Sequence, residues 1–371
     1  MRQYKLDEKD RQKLDALYLD LKEKSKTFLG YPTNANLDNQ ILSPFLDLAI
    51  NNVGDPYAKS NYAVNTSDLE CEVLDFFASL LKIPKDAYWG YVTNGGTESN
   101  LYGLYLGREK YPSGILYYSE ETHYSVHKVG KLLNLETVVI KSLPNGEMDY
   151  EDFKQKLVKE RPAILNINVG TTMKGAISNI DTIHAILKEK NVKDFYIHAD
   201  EALFGLMLPF MEGAPQVNFE KSIDSIAISG HKFLGAPIPC GIVLCKKSAV
   251  DPIRRQIEYI GSHDATISGS RDGLSVLILW MAIKKYGREG ISELVNYCMK
   301  TTDYALQKMQ EIPWNSWKNP FSNIVVIDRP NDALIKKWQL ATEGKIAHLV
   351  IMPHIHRDVI DNFAFELKQS K

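Results

Sequence analysis

The sequence predicts an α/β fold built on a mainly parallel central sheet. Two observations carry this prediction. The middle of the chain alternates short apolar runs with helical stretches, and four of those runs end in polar or glycine-rich segments. In such a sheet the carboxyl ends of parallel strands meet at one edge, where ligands gather. We therefore expect a functional site at that edge.

Composition narrows the class of protein. The chain has 371 residues, of which 44% are hydrophobic and 24% charged, as in an ordinary globular protein. The formal charge of -2 gives no reason to expect a nucleic-acid or membrane partner. No stretch approaches about 20 apolar residues, and the first nine residues lack an apolar signal core. We expect one large domain with smaller flanking segments, in the cytoplasm.

The first elements are helical. Leucines recur at helical spacing between Asp7 and Lys26, which predicts an amphipathic leading helix. Gly30-Tyr31-Pro32 ends it. A second helical pattern follows from Asp68 to Lys82. We assign residues 1–55 to an N-terminal helical segment and residues 56–250 to a large α/β domain.

Four apolar runs of the large domain are predicted strands, and each leads into residues suited to chemistry. In chain order they are Tyr88–Thr93 before Asn94-Gly95-Gly96-Thr97-Glu98 and a helix through Arg108, Ala163–Val169 before Gly170-Thr171-Thr172, Phe195–Ala199 before Asp200, and Ser225–Ser229 before Gly230-His231-Lys232. Their shared placement at strand ends is stronger evidence than any of the short motifs alone.

Residues 251–371 are predicted to form a loop, a connecting helix and a small C-terminal α/β domain. A Gly/Ser-rich turn, Ser268–Gly273, precedes the connecting helix Leu274–Lys285. Predicted strands follow at Asn323–Ile327 and Ile346–Met352.

Lys232 and Asp200 are the residues that point to a cofactor. A lone lysine is usually a solvated charge, but Lys232 follows a strand and has Gly230 two positions before it and Gly235 three positions after it. Asp200 could be only a strand-end turn residue. Together they match the pair that holds pyridoxal 5'-phosphate, in which lysine forms a Schiff base and a carboxylate pairs with the ring nitrogen.

Other candidates allow two interpretations each. Gly96 and Thr97 could seat a phosphate at a helix N-terminus or form an ordinary turn and cap. His123 could be structural, or could cover the cofactor face and contact the substrate. Glu201 should face away from Asp200 because neighbours alternate along a strand. For Glu201 we expect a salt bridge, with contact to a cationic substrate as the alternative.

The histidines and cysteines predict no metal site. His354-Ile355-His356 has no carboxylate or cysteine companion at metal-site spacing. The four cysteines, which lack the spacing of a zinc site and are too few to staple a chain of this length, are expected to be buried free thiols: Cys71, Cys240, Cys245 and Cys298.

With these residues identified, the chain resembles the group II pyridoxal-phosphate-dependent amino-acid decarboxylases. The similarity is to their short branch, which contains bacterial histidine decarboxylases and plant-type serine decarboxylases. It extends from about Gly30 to Pro353. The matching stretches are Leu29–Pro32, Ile50–Pro56, Trp89–Glu98, Thr122–Ser125, Asn168–Thr172, His198–Asp200, Ser229–Lys232, Pro237–Gly241 and Gly269–Gly273.

The resemblance implies a fold and a set of roles. The fold is the aspartate-aminotransferase-like fold type I, and the protein is expected to be a homodimer with active sites at the interface, or a higher oligomer. Lys232 would be the Schiff-base lysine, Asp200 the ring-nitrogen partner, and His123 the stacking and substrate-contacting residue. Tyr259, in a segment resembling a mobile loop, would be a proton donor. Phosphate-binding stretches would hold Gly96, Thr97, Ser229 and His231, and Thr171 and Thr172 would lie near the ring.

The implied reaction is decarboxylation of an L-amino acid to an amine. Histidine to histamine is favoured, serine to ethanolamine is the alternative, and another amino acid or a siderophore-pathway conjugate stays open. The sequence has features of both branches. Glu201 stands where bacterial histidine decarboxylases usually have a small residue, and the tracts Ala202–Phe210 and Trp338–Ala341 look more like the serine branch, whereas Asn94-Gly95-Gly96 and Pro237-Ile238-Pro239 look more like the histidine branch. A cysteine desulfurase, an aminotransferase and a non-catalytic protein of the same fold are less favoured rivals.

Overall fold

The computed structural model of the protein describes residues 5–36 and 38–370. Residues 1–4 of the predicted N-terminal segment lie outside the described residues. The α-helices are α1 (Glu8–Lys24), α2 (Ser67–Leu80), α3 (Gly96–Lys110), α4 (Tyr124–Leu132), α5 (Tyr150–Lys156), α6 (Ile180–Glu189), α7 (Lys247–Val250), α8 (Gly273–Gln310), α9 (Asp332–Trp338) and α10 (Arg357–Gln369). Short 3-10 helices span Ser25–Thr27, Gln40–Asp47, Leu208–Phe210 and Phe219–Lys221.

The strands fall into one large sheet, one smaller sheet and two short antiparallel pairs, β1 with β11 and β9 with β10. They are β1 (Asn51–Val53), β2 (Tyr88–Thr93), β3 (Ile115–Ser119), β4 (Glu136–Ile140), β5 (Ala163–Asn168), β6 (Phe195–Asp200), β7 (Ser225–Ser229), β8 (Gly241–Lys246), β9 (Arg255–Ile257), β10 (Ser262–Asp264), β11 (Ser270–Asp272), β12 (Ser316–Trp317), β13 (Ile324–Asp328), β14 (Ala341–Glu343) and β15 (Ile346–Val350).

The large sheet has seven strands in the order β2-β8-β7-β6-β5-β3-β4. The pairs from β7 to β4 are parallel, whereas β8 runs antiparallel to both of its neighbours. The predicted α/β class with a mainly parallel sheet is confirmed. The four predicted strands of the large domain are also found, within one residue at each end.

The face of β6 that carries the Asp200 side chain packs against α3. Alternation along the strand directs Tyr196, His198 and Asp200 to this face. Glycines of α3 allow the close approach: a Cβ at Gly103 would lie 2.2 Å from His198 Nδ1, and one at Gly107 would lie 3.0 Å from Tyr196 Cδ1. The helix therefore presses directly on the strand that ends at the predicted site.

The C-terminal region forms a second, antiparallel sheet in the order β12-β13-β15-β14, accompanied by α9 and α10. The predicted smaller α/β unit is thus present, while the predicted boundaries at residues 55 and 250 stay a prediction. The predicted connecting helix Leu274–Lys285 is confirmed as the first segment of α8. The helix breaks at Gly287, where φ is 56°, and a second helical segment, which the sequence did not predict, continues to Gln310. Ile291, Val295 and Cys298 resume a buried helical stripe beyond that break.

The leading helix α1 matches its predicted range within two residues at each end, but its apolar side chains are not covered. No residue of α1 is buried in the single chain. Leu14, Leu17, Tyr18 and Leu21 are each more than half exposed. Within the described ranges, no helix has both the length and the apolar character that crossing a bilayer would require.

Candidate active site

A cavity of about 410 Å³ lies at the carboxyl edge of the large sheet. This volume is in the range of small-molecule sites. Every predicted site residue except Tyr259 lines it: Lys232, Asp200, His123, Gly96, Thr97, Thr171, Thr172, Ser229 and His231. The carboxyl ends of β2, β5, β6 and β7 therefore converge as the sequence predicted.

Lys232 sits in a tight turn after β7. Its carbonyl accepts hydrogen bonds from the backbone N–H groups of Gly235, at 3.1 Å, and Asn34, at 3.1 Å. Gly235 has φ +78°, and a Cβ there would lie 2.4 Å from the Asn34 carbonyl oxygen, so the turn requires glycine. Burial lowers the pKa of Lys232, while the Asp200 carboxylate opposes that shift. A lowered amine pKa suits a lysine that must react as a nucleophile.

Asp200 is buried at the end of β6, where both of its carboxylate oxygens accept hydrogen bonds. Asn100 Nδ2 donates to Oδ2 at 2.8 Å, and the Ala202 backbone N–H donates to Oδ1 at 3.2 Å. Donors of this kind favour the ionised carboxylate. The arrangement suits a partner for a cationic ring nitrogen.

His123 is the N-cap of α4 and faces the same cavity. Its Nδ1 accepts from the backbone N–H of Ser125 at 3.3 Å and lies 2.8 Å from Ser125 Oγ. An accepting Nδ1 leaves the proton of a neutral imidazole on Nε2. Burial lowers the pKa of His123, and the Lys232 charge adds to this, whereas the Asp200 carboxylate raises it. His123 therefore holds one transferable proton on Nε2.

The other end of the cavity is built to receive an anion. Gly95 has φ +140°, and a Cβ on Gly96 would lie 2.6 Å from Ser229 Oγ, so only glycine fits this approach of two strand ends. The N-terminus of the 15-residue α3 opens there and adds partial positive charge. Glu98, in its first turn, accepts from the Asn94 backbone N–H at 3.0 Å and so braces the loop.

The two threonines follow β5 at the side of the cavity. Thr171 Oγ1 accepts from the Ala176 backbone N–H at 3.0 Å, which closes a turn that begins at Gly170, where φ is +97°. Thr171 is buried and Thr172 is exposed. Together these groups fit a bound pyridoxal 5'-phosphate: an amine of lowered pKa, a carboxylate, an imidazole and a glycine-lined helix N-terminus.

Glu201 differs from its prediction in one respect. It faces away from Lys232, as expected from strand alternation, and lines a separate cavity of about 160 Å³. The expected salt bridge is not found among residues 5–36 and 38–370: Glu201 is buried, and its Oε1 has no hydrogen-bond partner there. Burial, and then the charge of Asp200, raise its pKa well above the usual range. The sequence pattern indicated the direction of the side chain but not the burial that raises its pKa.

Tyr259 lies outside the cavity, between β9 and β10, and is 82% exposed. In this conformation of a single chain it does not join the other site residues. Its assignment as a proton donor stays a prediction.

The structure adds residues that the sequence did not single out. Asn100, Asn168 and His348 line the cavity and are buried. Asn168 Nδ2 donates to Ser119 Oγ and Thr122 Oγ1, each at 2.9 Å, and so holds the turn before His123. Asn100 follows Gly96 by one helical turn, which is the only sequence signal that relates it to the site. Among the described residues, no group of three or more metal-ligating side chains converges.

Comparison with known proteins identifies what this arrangement is similar to. Residues 20–313 match the model of the pyridoxal-dependent decarboxylase conserved domain. A histidine decarboxylase from Morganella morganii is 45% identical over 355 residues, covering 95% of this chain and 94% of the relative. Serine decarboxylase 1 from Oryza sativa subsp. japonica is 43% identical over 361 residues, covering 96% of this chain and 75% of the relative.

Solved structures agree with the fold. An L-methionine decarboxylase from Streptomyces sp. 590 superposes with a TM-score of 0.91 and 25% identity, covering 98% of this chain and 96% of that one. A glutamate decarboxylase from Lactobacillus brevis, at 16% identity, has a TM-score of 0.84 and covers 100% and 93% of the two chains. The aspartate-aminotransferase-like fold type I expected from the sequence is confirmed.

Proposed function

We propose that L-histidine is the substrate of this chain, which belongs to the pyridoxal-dependent decarboxylase family and removes carbon dioxide from an amino acid with that cofactor. The products would be histamine and carbon dioxide. The two histidine and serine decarboxylase relatives are similarly identical to this chain, but it spans 94% of the former and 75% of the latter. Serine is the second candidate for this reason.

The shape of the cavity carries the choice of histidine. Away from Lys232, its wall is built from the N-terminal segment and the second sheet, and we call it the second-sheet wall: Tyr31, Pro32, Ile324, Ala341, His348 and Val350. Its ring and aliphatic surfaces suit a flat imidazole. The hydroxymethyl group of serine is too short to fill the same space, and an unfilled apolar surface contributes no binding energy.

His348 gives this wall a fixed shape. Its Nδ1 lies 3.0 Å from the Met173 carbonyl oxygen, and its Nε2 lies 2.9 Å from the Gly30 carbonyl oxygen. A neutral imidazole donates to one of these carbonyls and packs against the other, so the ring lies between the loop after β5 and the segment before Tyr31. A wall held from both sides can discriminate between substrates by shape.

We assign the site residues the following roles. Lys232 holds the cofactor through its amine, Asp200 pairs with the ring nitrogen, and His123 stacks on the ring and contacts the substrate. Gly96, Thr97, Ser229 and His231 would hold the cofactor's phosphate, and Thr171 and Thr172 would lie beside its ring; all six line the cavity. When bound, pyridoxal 5'-phosphate supplies an electron-accepting ring that stabilises the electron pair left by the departing carboxylate.

The side chains then control proton transfer. His123 Nε2 carries a proton and faces the cavity, so His123 can protonate the substrate α carbon after the carboxylate leaves. For Tyr259 to act as this proton donor, its loop would have to move, or Tyr259 would have to come from a second copy of the chain.

The exposed apolar faces support a homodimer. Besides the uncovered leucines of α1, the Gln40–Asp47 helix exposes Ile41, at 73%, and Leu46, at 68%. Covering such surfaces from water is the usual basis of stable association. Light scattering should give a mass twice that of the chain. We also propose a cytoplasmic location, since all four cysteines are unpaired, as thiols are in reducing compartments.

Product analysis tests the substrate. The purified protein with pyridoxal 5'-phosphate is incubated separately with histidine, serine and methionine, and the amines are measured by mass spectrometry. We expect histamine with the highest kcat/KM. Ethanolamine as the dominant product would replace histidine by serine. Carbon dioxide release without a keto acid excludes an aminotransferase.

Lys232→Ala tests the cofactor assignment in the same assay. Because the amine that holds the cofactor is removed, turnover and the visible absorption of the bound cofactor should both disappear. A yellow, active Lys232→Ala protein would refute this role for Lys232.

A further inference from the structure

Asn100 lies at the junction of the groups that face the cofactor site, although it belongs to the middle of α3. Its side chain is buried, at 2% exposure. Nδ2 lies 2.8 Å from Asp200 Oδ2 and 3.3 Å from Ser125 Oγ, and Oδ1 lies 3.0 Å from His198 Nε2. The amide thus contacts β6 twice and α4 once.

Chemistry fixes the direction of these hydrogen bonds. An ionised carboxylate can only accept, so the atom of Asn100 that faces Asp200 is the NH2 group. The carbonyl oxygen Oδ1 therefore faces His198, and His198 must carry its proton on Nε2 to donate to it. A neutral imidazole has one proton, so Nδ1 accepts from the Ser225 hydroxyl, 2.8 Å away.

His198 is suited to stay neutral in this position. It is fully buried, and burial lowers its pKa to about 4, against a smaller opposing effect of Asp200. Gly103 provides the space, because any Cβ there would overlap the ring. Three donors thus point the same way: Ser225 to His198, His198 to Asn100, and Asn100 to Asp200.

The second N–H of the Asn100 amide connects Asn100 to His123 through Ser125. Ser125 Oγ accepts from Asn100 Nδ2, so its hydroxyl hydrogen is free to donate to His123 Nδ1. That donation reinforces the tautomer in which His123 keeps its proton on Nε2, toward the cavity. Asp200 and His123 are therefore linked through one NH2 group.

We infer that Asn100 is a positioning residue that aligns a directed hydrogen-bond relay, Ser225–His198–Asn100–Asp200, and orients the Ser125 hydroxyl toward His123. The relay fixes the orientation of the Asp200 carboxylate, which would face the ring nitrogen. This inference rests on the proposed function, since it takes Asp200 as the ring-nitrogen partner. Asn100 acts through Asp200 and His123 and does not itself react.

The direction of the relay can be measured without turnover. In cofactor-free protein labelled with 15N-histidine, recorded at a pH where His198 is neutral, wild-type His198 should be protonated on Nε2 and not on Nδ1. A His198→Gln variant assigns its signals among the nine histidines. In Asn100→Leu, Nε2 loses its acceptor, so the proton should move to Nδ1, where Ser225 Oγ can accept it.

Asn166→Leu is the matched control. Asn166 is also fully buried and lies beside His198 on β5, but among the described residues its side chain makes no hydrogen bond to the relay; its Nδ2 donates to Asn168 Oδ1, at 3.4 Å. It should leave the His198 tautomer unchanged. Asn100→Leu should also lower kcat about 100-fold with little change in KM, because misaimed groups affect the transition state more than binding. The visible band of the bound cofactor should persist.

Two results would overturn the inference: a wild-type His198 protonated on Nδ1, or an Asn100→Leu protein with both the wild-type tautomer and a kcat near wild type. The first needs no variant, so it decides the direction even if Asn100→Leu fails to fold. If wild type decarboxylates none of the amino acids but has the expected tautomer, the proposed function fails while the relay stands.

Discussion

Asp200 and Glu201 are adjacent carboxylates in opposite environments. Asp200 ends β6 on the α3 side, lines the 410 Å³ cavity and accepts two hydrogen bonds. Glu201 points to the other side, lines the 160 Å³ cavity, and leaves Oε1 unpartnered. Both are buried, so burial alone does not explain their different chemistry. They differ in their hydrogen bonds: both oxygens of Asp200 accept from donors, whereas Oε1 of Glu201 has no partner among the described residues.

The contrast shows how a fold can place a charge next to a neutral acid. The two side chains are one residue apart, yet the sheet lies between them. Asp200 itself contributes to the raised pKa of Glu201, because a second negative charge nearby is unfavourable. Protonation of Glu201 removes that repulsion, so the neutral acid is compatible with an ionised Asp200.

The largest expected difference between the two sides is in catalysis. Asp200→Asn removes the charge proposed to pair with the ring nitrogen, and we expect kcat to fall about 100-fold or more. Glu201→Gln replaces a neutral acid by a neutral amide of the same shape, and its kcat should stay near wild type. Steady-state decarboxylation by both variants measures the difference. Equal losses would mean that the two carboxylates act as one unit.

The second prediction concerns the packing that supports only the Asp200 side. Gly103→Ala would place a Cβ 2.2 Å from His198 Nδ1, and the ring cannot easily retreat because Ser225 and Asn100 hold both nitrogens. We expect a loss of about 1–3 kcal/mol in the free energy of unfolding and weaker cofactor binding. Denaturant unfolding and cofactor titration measure the two effects.

Gly269→Ala is the control for this substitution. Nothing lies within 4 Å of a Cβ added at Gly269, so stability should hardly change. A Gly103→Ala protein as stable as that control would show that α3 can move away from β6 at little cost.

The sequence predicted the functional residues at strand ends better than the residues that surround them. Lys232, Asp200 and His123 follow strands, so their convergence could be expected from topology alone. Asn100 could not, because a mid-helix asparagine has no strand end to mark it and its partners are distant in sequence. The missing partner of Glu201 was equally hidden, since it depends on how α8 and the segment after Leu208 pack over it. The antiparallel direction of β8 was also not predicted, because an apolar run does not specify direction.

The smallest expected effect is on stability, and it depends on pH. The raised pKa of Glu201 means that the folded protein binds more protons than the unfolded chain at pH values above the usual glutamate pKa of 4.5. Stability therefore falls as pH rises from there toward the folded-state pKa. Gln cannot ionise, so Glu201→Gln lacks this fall and should gain about 2 °C in Tm relative to wild type between pH 5 and pH 8. Thermal unfolding of both proteins without cofactor isolates the effect. Parallel Tm curves for the two proteins would mean that Glu201 is ionised in the folded protein. Asp200 and Glu201 would then differ in position but not in charge.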